Sequence, residues 1–128
     1  GQKLKQLDYT FDVLKKTLGN SFKNTLIITL TEFGRTLVQN NGYGTEHGYG
    51  TSILLGGGLV KKSQVYADWP GIKNKNLFEG RDLNSTLDAR SVYCSAMSVC
   101  FDTDFQLLNK EVFPDKKLND LTNILFKV

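Results

Sequence analysis

The chain has 128 residues, of which 40% are hydrophobic and 23% charged, which is the size and balance of one globular domain covering residues 1–128. Its net charge of +3 comes from 16 basic and 13 acidic residues that are spread along the sequence, so no nucleic-acid partner is predicted. No apolar stretch approaches the roughly 20 residues that cross a bilayer, and the N-terminus lacks the apolar segment of a signal peptide, so no membrane partner is predicted and the compartment is left open.

The first predicted element is a short amphipathic helix over residues 7–18. Its apolar residues recur at helical spacing, two lysines lie near its end, and a glycine comes next that can stop it. These residues are Leu7, Phe11, Leu14, Leu18, Lys15, Lys16 and Gly19.

The second predicted element is a strand over residues 25–30. The run "TLIITL" is apolar and β-branched, which is typical of a strand covered on both faces in a parallel sheet. A glycine-rich span, residues 31–50, comes directly after it and contains the only histidine of the chain. In open α/β sheets, ligands bind beyond the carboxyl ends of the strands, so this span is the candidate functional loop.

The remaining sequence predicts further strands, a loop and a second helix. Two strands are expected in residues 52–60 and 63–69, with a turn or a close backbone approach at Gly56, Gly57 and Gly58. Residues 70–86 indicate a surface loop. A helix begins near Thr86 or Asp88, and the tail contains a loop around Pro114 and then a short helix or an extended segment. The apolar stripe of that helix comprises Ala89, Val92, Tyr93, Ala96, Val99 and Cys100, with Met97 beside it.

The two cysteines, Cys94 and Cys100, fall in this predicted helix. A separation of six residues places them on different sides of a helix, so they cannot form a disulfide with each other. The spacing does not fit a zinc pair, and no further cysteine is present to complete a set. We expect two buried or half-buried thiols.

Three polar residues of the glycine-rich span can carry chemistry. Glu32 can act as an oxygen ligand or a general base, and the planar guanidinium of Arg35 can bind a phosphate or sulfate. His47, between glycines and next to Glu46, can act as a metal ligand. The alternatives are a surface ion pair between Glu32 and Arg35 and a surface histidine without a ligand.

The motifs of this region resemble a known bacterial family. An apolar strand, the run "TEFGRT", the run "GTEHG" and a later "LGG" are similar to the C-terminal region of the domain of unknown function 1501 family, and "VYADWPG" and "LDARSVYCSAM" fit the family's sequence beyond these motifs. Glu46 departs from the pattern, because the family usually has Asp at that position. Members of the family look like alkaline phosphatases and sulfatases, so the resemblance implies an α/β fold with a partial alkaline-phosphatase-like sheet and flanking helices.

The same resemblance implies a metal-dependent phosphate or sulfate ester hydrolase of unknown substrate. Glu32, Glu46 and His47 would be the metal ligands, for zinc, manganese, magnesium or calcium, and Arg35 the catalytic anion-binding residue. Family members are longer, and their nucleophile lies in an N-terminal part that these residues do not match. We therefore expect a C-terminal fragment that is inactive alone.

A second function stays open beside the hydrolase. The alternative is a non-catalytic remnant or a protein-interaction domain, in which Trp69, Tyr43, Tyr49 and the basic residues face a partner. Sheet edges left open by a missing part favour pairing between copies, so a homo-oligomer is an expected state. Whether the chain is an enzyme by itself is not decided by the sequence.

Overall fold

The computed structural model describes all 128 residues as a mixed α/β arrangement of helices and two small sheets. Two short 3-10 helices, at Gly19–Asn24 and Asn74–Asn76, complete the regular structure. No helix has the length and apolar character that crossing a membrane requires. The elements in chain order are α1 (Gln2–Leu18), β1 (Ile27–Ile28), β2 (Gly34–Arg35), β3 (His47–Gly48), β4 (Leu55–Gly56), α2 (Ala89–Phe101), α3 (Phe105–Val112) and α4 (Thr122–Leu125).

Helix α1 confirms the first prediction and extends further toward the N-terminus. It ends at Gly19, whose φ of 51° is a left-handed value that glycine adopts without a steric penalty. Only the four apolar residues of the predicted stripe are partly covered, and every other residue of the helix is exposed. Phe11 of that stripe lies against Gly56 of β4. The helix therefore rests on the sheet by one narrow face.

The predicted parallel strand is instead a short antiparallel one. Ile27 pairs with Gly56 and Ile28 pairs with Leu55. The strand is only half-buried, and Leu30 is exposed, so the prediction of a strand covered on both faces was wrong. A continuous apolar run does not specify the direction of its partner, and here the partner is reached without the helical crossover that a parallel pair requires.

Gly57 and Gly58 show how closely the chain after β4 approaches the backbone that precedes β1. Gly57 has a φ of 106°, and a Cβ atom there would overlap the carbonyl of Thr25. Gly58 approaches Lys23 in the same way. The predicted turn and close backbone approach are confirmed. Beyond them, residues 63–69 form no strand, so that prediction was wrong.

Helix α2 is the centre of the core. Its carboxylate cap is Asp88, which accepts a hydrogen bond from the Arg90 N–H, and the helix begins where the sequence predicted. Val92 and Ala96 pack with Leu125 and Phe126, and the half-buried residues of the β1–β4 sheet lie against this cluster. On another side of α2, a second cluster joins this helix to α3 and the C-terminal segment through Cys94, Phe105 and Leu118.

The cysteines are both free, as expected. Cys94 is buried, but Cys100 is exposed, so the expectation of two covered thiols holds for Cys94 alone. Burial, with a smaller effect of Asp120, raises the pKa of the Cys94 thiol. The predicted apolar stripe of α2 lies a fraction of a turn away from the face that is buried. That face includes Ser91 and Ser95, which are fully buried and form hydrogen bonds with the C-terminal segment.

Candidate functional site

The glycine-rich span folds into an antiparallel hairpin. Gly34 pairs with Gly48, and Arg35 pairs with His47. Residues that are directly opposite in such a ladder project their side chains to the same face. The hairpin therefore makes neighbours of two of the residues that the sequence singled out, and both are exposed to solvent.

Asn40 organises the loop that joins the two strands. Its side-chain oxygen accepts hydrogen bonds from the N–H groups of Gly42 (2.9 Å) and Gly44 (3.0 Å), and its own backbone N–H donates to the Gly44 carbonyl at 2.8 Å. Such side-chain bonds to the neighbouring backbone are the reason that Asn favours turns. They fix the return of the chain from β2 to β3.

A third segment, residues 81–83, runs beside β2. The Leu83 N–H donates to the Arg35 carbonyl (3.1 Å), the Leu37 N–H donates to the Arg81 carbonyl (3.1 Å), and Thr36 forms a β-bridge with Asp82. The Arg35 N–H donates to the Gly50 carbonyl at 3.0 Å. Both backbone polar groups of Arg35 are thus paired, so its side chain projects from a backbone held on two sides.

The guanidinium of Arg35 is available for a ligand. Its one hydrogen bond within the chain runs from Nη1 to the carbonyl of Gly34 at 3.1 Å. The ion pairs of the structure are Lys16–Asp12, Arg81–Asp82 and Arg90–Asp88, so the alternative of a Glu32–Arg35 ion pair was wrong. Glu32 is exposed in a bend just before β2.

His47 is held by an aromatic neighbour. The ring centroids of His47 and Phe33 are 4.6 Å apart, with the rings tilted by 34°. His47 is exposed, and an imidazole has two ring nitrogens that can bind solvent or a ligand. Phe33 thus packs against the ring of the residue that is paired with Arg35.

Glu46 lies differently from His47. Successive residues of a strand alternate between the two faces of the sheet, so the side chain of Glu46 projects away from the Arg35–His47 face. There its Oε1 accepts a hydrogen bond of 2.6 Å from the Asn40 amide, and the Glu46 N–H donates to the Thr36 hydroxyl at 3.1 Å. Glu46 thus braces the loop of the hairpin.

The three predicted metal ligands, Glu32, Glu46 and His47, are not grouped together in the structure. No group of three or more His, Cys, Asp or Glu side chains is arranged to hold a metal ion. The donor set on this chain, with His47 and Glu46 on alternate faces, does not fit a metal ion without ligands from elsewhere. We therefore derive no chemical step through a metal.

Two features of this region have no counterpart among the sequence predictions. Asp82 is buried, and its carboxylate accepts hydrogen bonds from the exposed Arg81 guanidinium at 2.7 and 3.2 Å, which raise the pKa of Arg81. Tyr49 stacks on Phe78, with ring centroids 4.1 Å apart. The burial of Asp82 and the Tyr49–Phe78 stack both depend on contacts between segments that are distant in sequence. A local sequence pattern therefore does not predict either of them.

Comparison with known protein families gives a match over most of the chain. The family model described as "Protein of unknown function (DUF1501)" matches residues 1–100. The chain belongs to the DUF1501 family. The match includes α1, the hairpin, and α2 up to Cys100, so every predicted site residue lies within the DUF1501 region. No curated protein and no solved structure matches the chain.

Proposed function

We propose that this chain is the C-terminal portion of a sulfatase-like, metal-dependent phosphate or sulfate ester hydrolase, and that it contributes the anion-binding part of the active site. The observation that carries the proposal is the pairing of Arg35 with His47. Arg35 has a paired backbone and an exposed guanidinium, which is the planar donor group that suits phosphate and sulfate oxygens. In this proposal the sheet belongs to a larger alkaline-phosphatase-like fold.

Within the proposal, His47 is the metal ligand that the geometry favours most. Its ring is exposed and beside Arg35, so a metal bound to it would be near a bound anion. Glu32 and Glu46 remain proposed ligands, and Glu46 would have to exchange its bond with Asn40 for the metal. At most three ligands come from this chain, so the others and the nucleophile must come from a further part of the protein.

The exposed area of the chain supports such a further part. Its accessible surface is 9546 Å² for a mass of 14.4 kDa, and folded monomers of this mass expose about 6,800 Å². The excess is comparable to a large protein interface. Only 15 of the 128 residues are buried, which supports the idea that additional protein surface covers this chain.

A second candidate function rests on exposed aromatic residues. Tyr43 at the tip of the hairpin, Tyr49 and Trp69 are all exposed, and aromatic side chains are enriched in protein interfaces. In this alternative the chain is a non-catalytic interaction domain. The edges of its two small sheets, apart from the β2 edge that residues 81–83 cover, favour a homo-oligomer.

The test compares this chain with the longest polypeptide that its reading frame encodes. Turnover of p-nitrophenyl phosphate and p-nitrophenyl sulfate is measured with added zinc, manganese, magnesium or calcium. We expect negligible turnover by the chain alone. In the longer polypeptide, turnover should fall by about 10²–10³ in an Arg35→Ala variant and also in a His47→Ala variant.

The controls use an arginine and a glutamate outside the proposed site. Arg90→Ala and Glu79→Gln should leave turnover unchanged. Robust turnover by the isolated chain would contradict the idea of a partial site. A longer polypeptide that is folded and has no turnover with either ester would favour the interaction domain.

A further inference from the structure

Aromatic rings lie next to Arg35 and His47 in the hairpin. Phe33 comes directly before β2 and Tyr49 directly after β3, so both are at the same end of the hairpin. The ring contact between Phe33 and His47, at 4.6 Å between centroids, agrees with this placement. Phe78 extends the group through its stack on Tyr49.

These rings are open to solvent. Phe33 is 46%, Tyr49 54% and Phe78 37% exposed, although aromatic side chains gain most free energy when they are covered. No ion pair within the chain neutralises Arg35, and Glu46, the acidic residue next to His47, is held by Asn40 on the other face. The result is an exposed surface that carries the guanidinium of Arg35, with the rings of Phe33 and Tyr49 at the same end of the hairpin.

We infer that this surface selects anionic esters that carry an aromatic ring, with Arg35 binding the phosphate or sulfate group while Phe33 and Tyr49 contact the ring. The inference deepens the proposed function and rests on it, since it names the substrate class of the same site. A guanidinium binds any phosphate or sulfate, so it does not discriminate between esters. The adjacent rings supply the discrimination, because an aromatic ester stacks on them and an alkyl ester does not.

The experiment measures binding rather than turnover, with the 128-residue chain as it is. NMR titrations with phenyl phosphate, methyl phosphate and inorganic phosphate, without metal, give three dissociation constants. We expect phenyl phosphate to bind roughly three- to tenfold more tightly than methyl phosphate, as one stacked ring contact would produce. The backbone amide signals of Phe33, Arg35, His47 and Tyr49 should shift. Equal affinities, or shifts confined to other regions, would overturn the inference.

Variants separate the ring contact from the anion contact. A double variant with Phe33→Leu and Tyr49→Leu should lose the preference for phenyl phosphate and keep the affinity for inorganic phosphate. Arg35→Ala should weaken the binding of all three ligands. Tyr9→Leu is the matched control, because Tyr9 is an exposed aromatic residue on α1, and it should keep the preference.

The amide spectrum of each variant shows whether that variant is folded. If the double variant is unfolded, the chemical-shift changes of the parent chain still test the inference. A preference that persists in a folded double variant would contradict the role of Phe33 and Tyr49. Binding preference without turnover in the longer polypeptide would remove the hydrolase proposal and leave an aromatic-anion site. Turnover without any preference would retain the hydrolase and remove the present inference.

Discussion

The backbone of Gly48 passes so close to the backbone of Arg35 that a Cβ atom on Gly48 would overlap the Arg35 carbonyl group. Gly34 makes the reciprocal approach to Gly48 and Tyr49. Gly34 and Gly48 are therefore required by the packing of the hairpin rather than by flexibility. They allow the two strands to lie side by side and thereby set the distance between Arg35 and His47.

The first prediction concerns Gly48→Ala. The overlapping atoms belong to the backbone of β2, which cannot move aside as a flexible side chain would. We expect the variant to lower the free energy of unfolding in urea by about 1–3 kcal/mol, the usual cost of overpacking. Gly44→Ala is the control, because its nearest neighbour is a side-chain atom of Asn40 at 3.8 Å. An unchanged free energy for Gly48→Ala would mean that the strands are less closely paired.

The second prediction concerns Ser95, which is fully buried in α2. Its hydroxyl donates to the Ser91 carbonyl at 2.8 Å and accepts from the Leu121 N–H at 2.9 Å. Ser95→Ala leaves that N–H without a partner, so we expect a loss of about 1–3 kcal/mol in the free energy of unfolding. Ser52→Ala, at an exposed position, should stay within about 0.5 kcal/mol of the parent. A neutral Ser95→Ala would show that water replaces the hydroxyl.

The sequence predicted the helices better than the sheets. The stripe of α1 and the start of α2 at Asp88 are local patterns, and both are confirmed. Helix α3 was missed, although Asp104 precedes it as a cap and accepts a hydrogen bond from the Leu107 N–H. With only 8 residues, this helix is too short for a clear apolar period, and it is stabilised by its packing on α2.

The strands depended on contacts that no local pattern contains. Residues 25–30 have the same composition whether their partner is parallel or antiparallel. The antiparallel pairing with β4 is a contact between segments distant in sequence, and Gly57 allows the close approach to Thr25. The same distinction between local sequence information and long-range contacts applies to the candidate site. Residue types identified Arg35 and His47, but only the register of the hairpin places them side by side.

The third prediction concerns the two thiols. Cys94 is buried and its pKa is raised, mainly by burial, so it has less of the reactive thiolate than an ordinary cysteine at the same pH. We expect iodoacetamide to label Cys100 and spare Cys94 in the folded protein at neutral pH. Both should be labelled in urea. Mass spectrometry of the digested protein identifies the site, and fast labelling of Cys94 without denaturant would contradict the described core.

The last prediction concerns Asp88, which caps α2 and forms an ion pair with Arg90. Asp88→Ala removes the acceptor for the Arg90 N–H, and we expect it to lower the free energy of unfolding by about 1 kcal/mol, as other lost caps do. Asp88→Asn is the matched variant, since the amide keeps a side-chain oxygen for the cap and removes the charge. The ion pair is partly exposed, so the charge alone should matter less than the cap.

The effect of that charge depends on pH. The side-chain hydrogen bond from Arg90 holds the pKa of Asp88 below its ordinary value, so the folded state favours the carboxylate more than the unfolded state does. The resulting stabilisation is fully present above the ordinary Asp pKa of about 3.9 and is lost as the pH falls through the lower pKa of the folded protein. In urea unfolding at neutral pH, the parent should therefore have a slightly higher free energy of unfolding than Asp88→Asn. This difference should become smaller as the pH is lowered from 7 to 3. A gap that widens in acid would mean that Arg90 does not stabilise the Asp88 carboxylate in the folded protein.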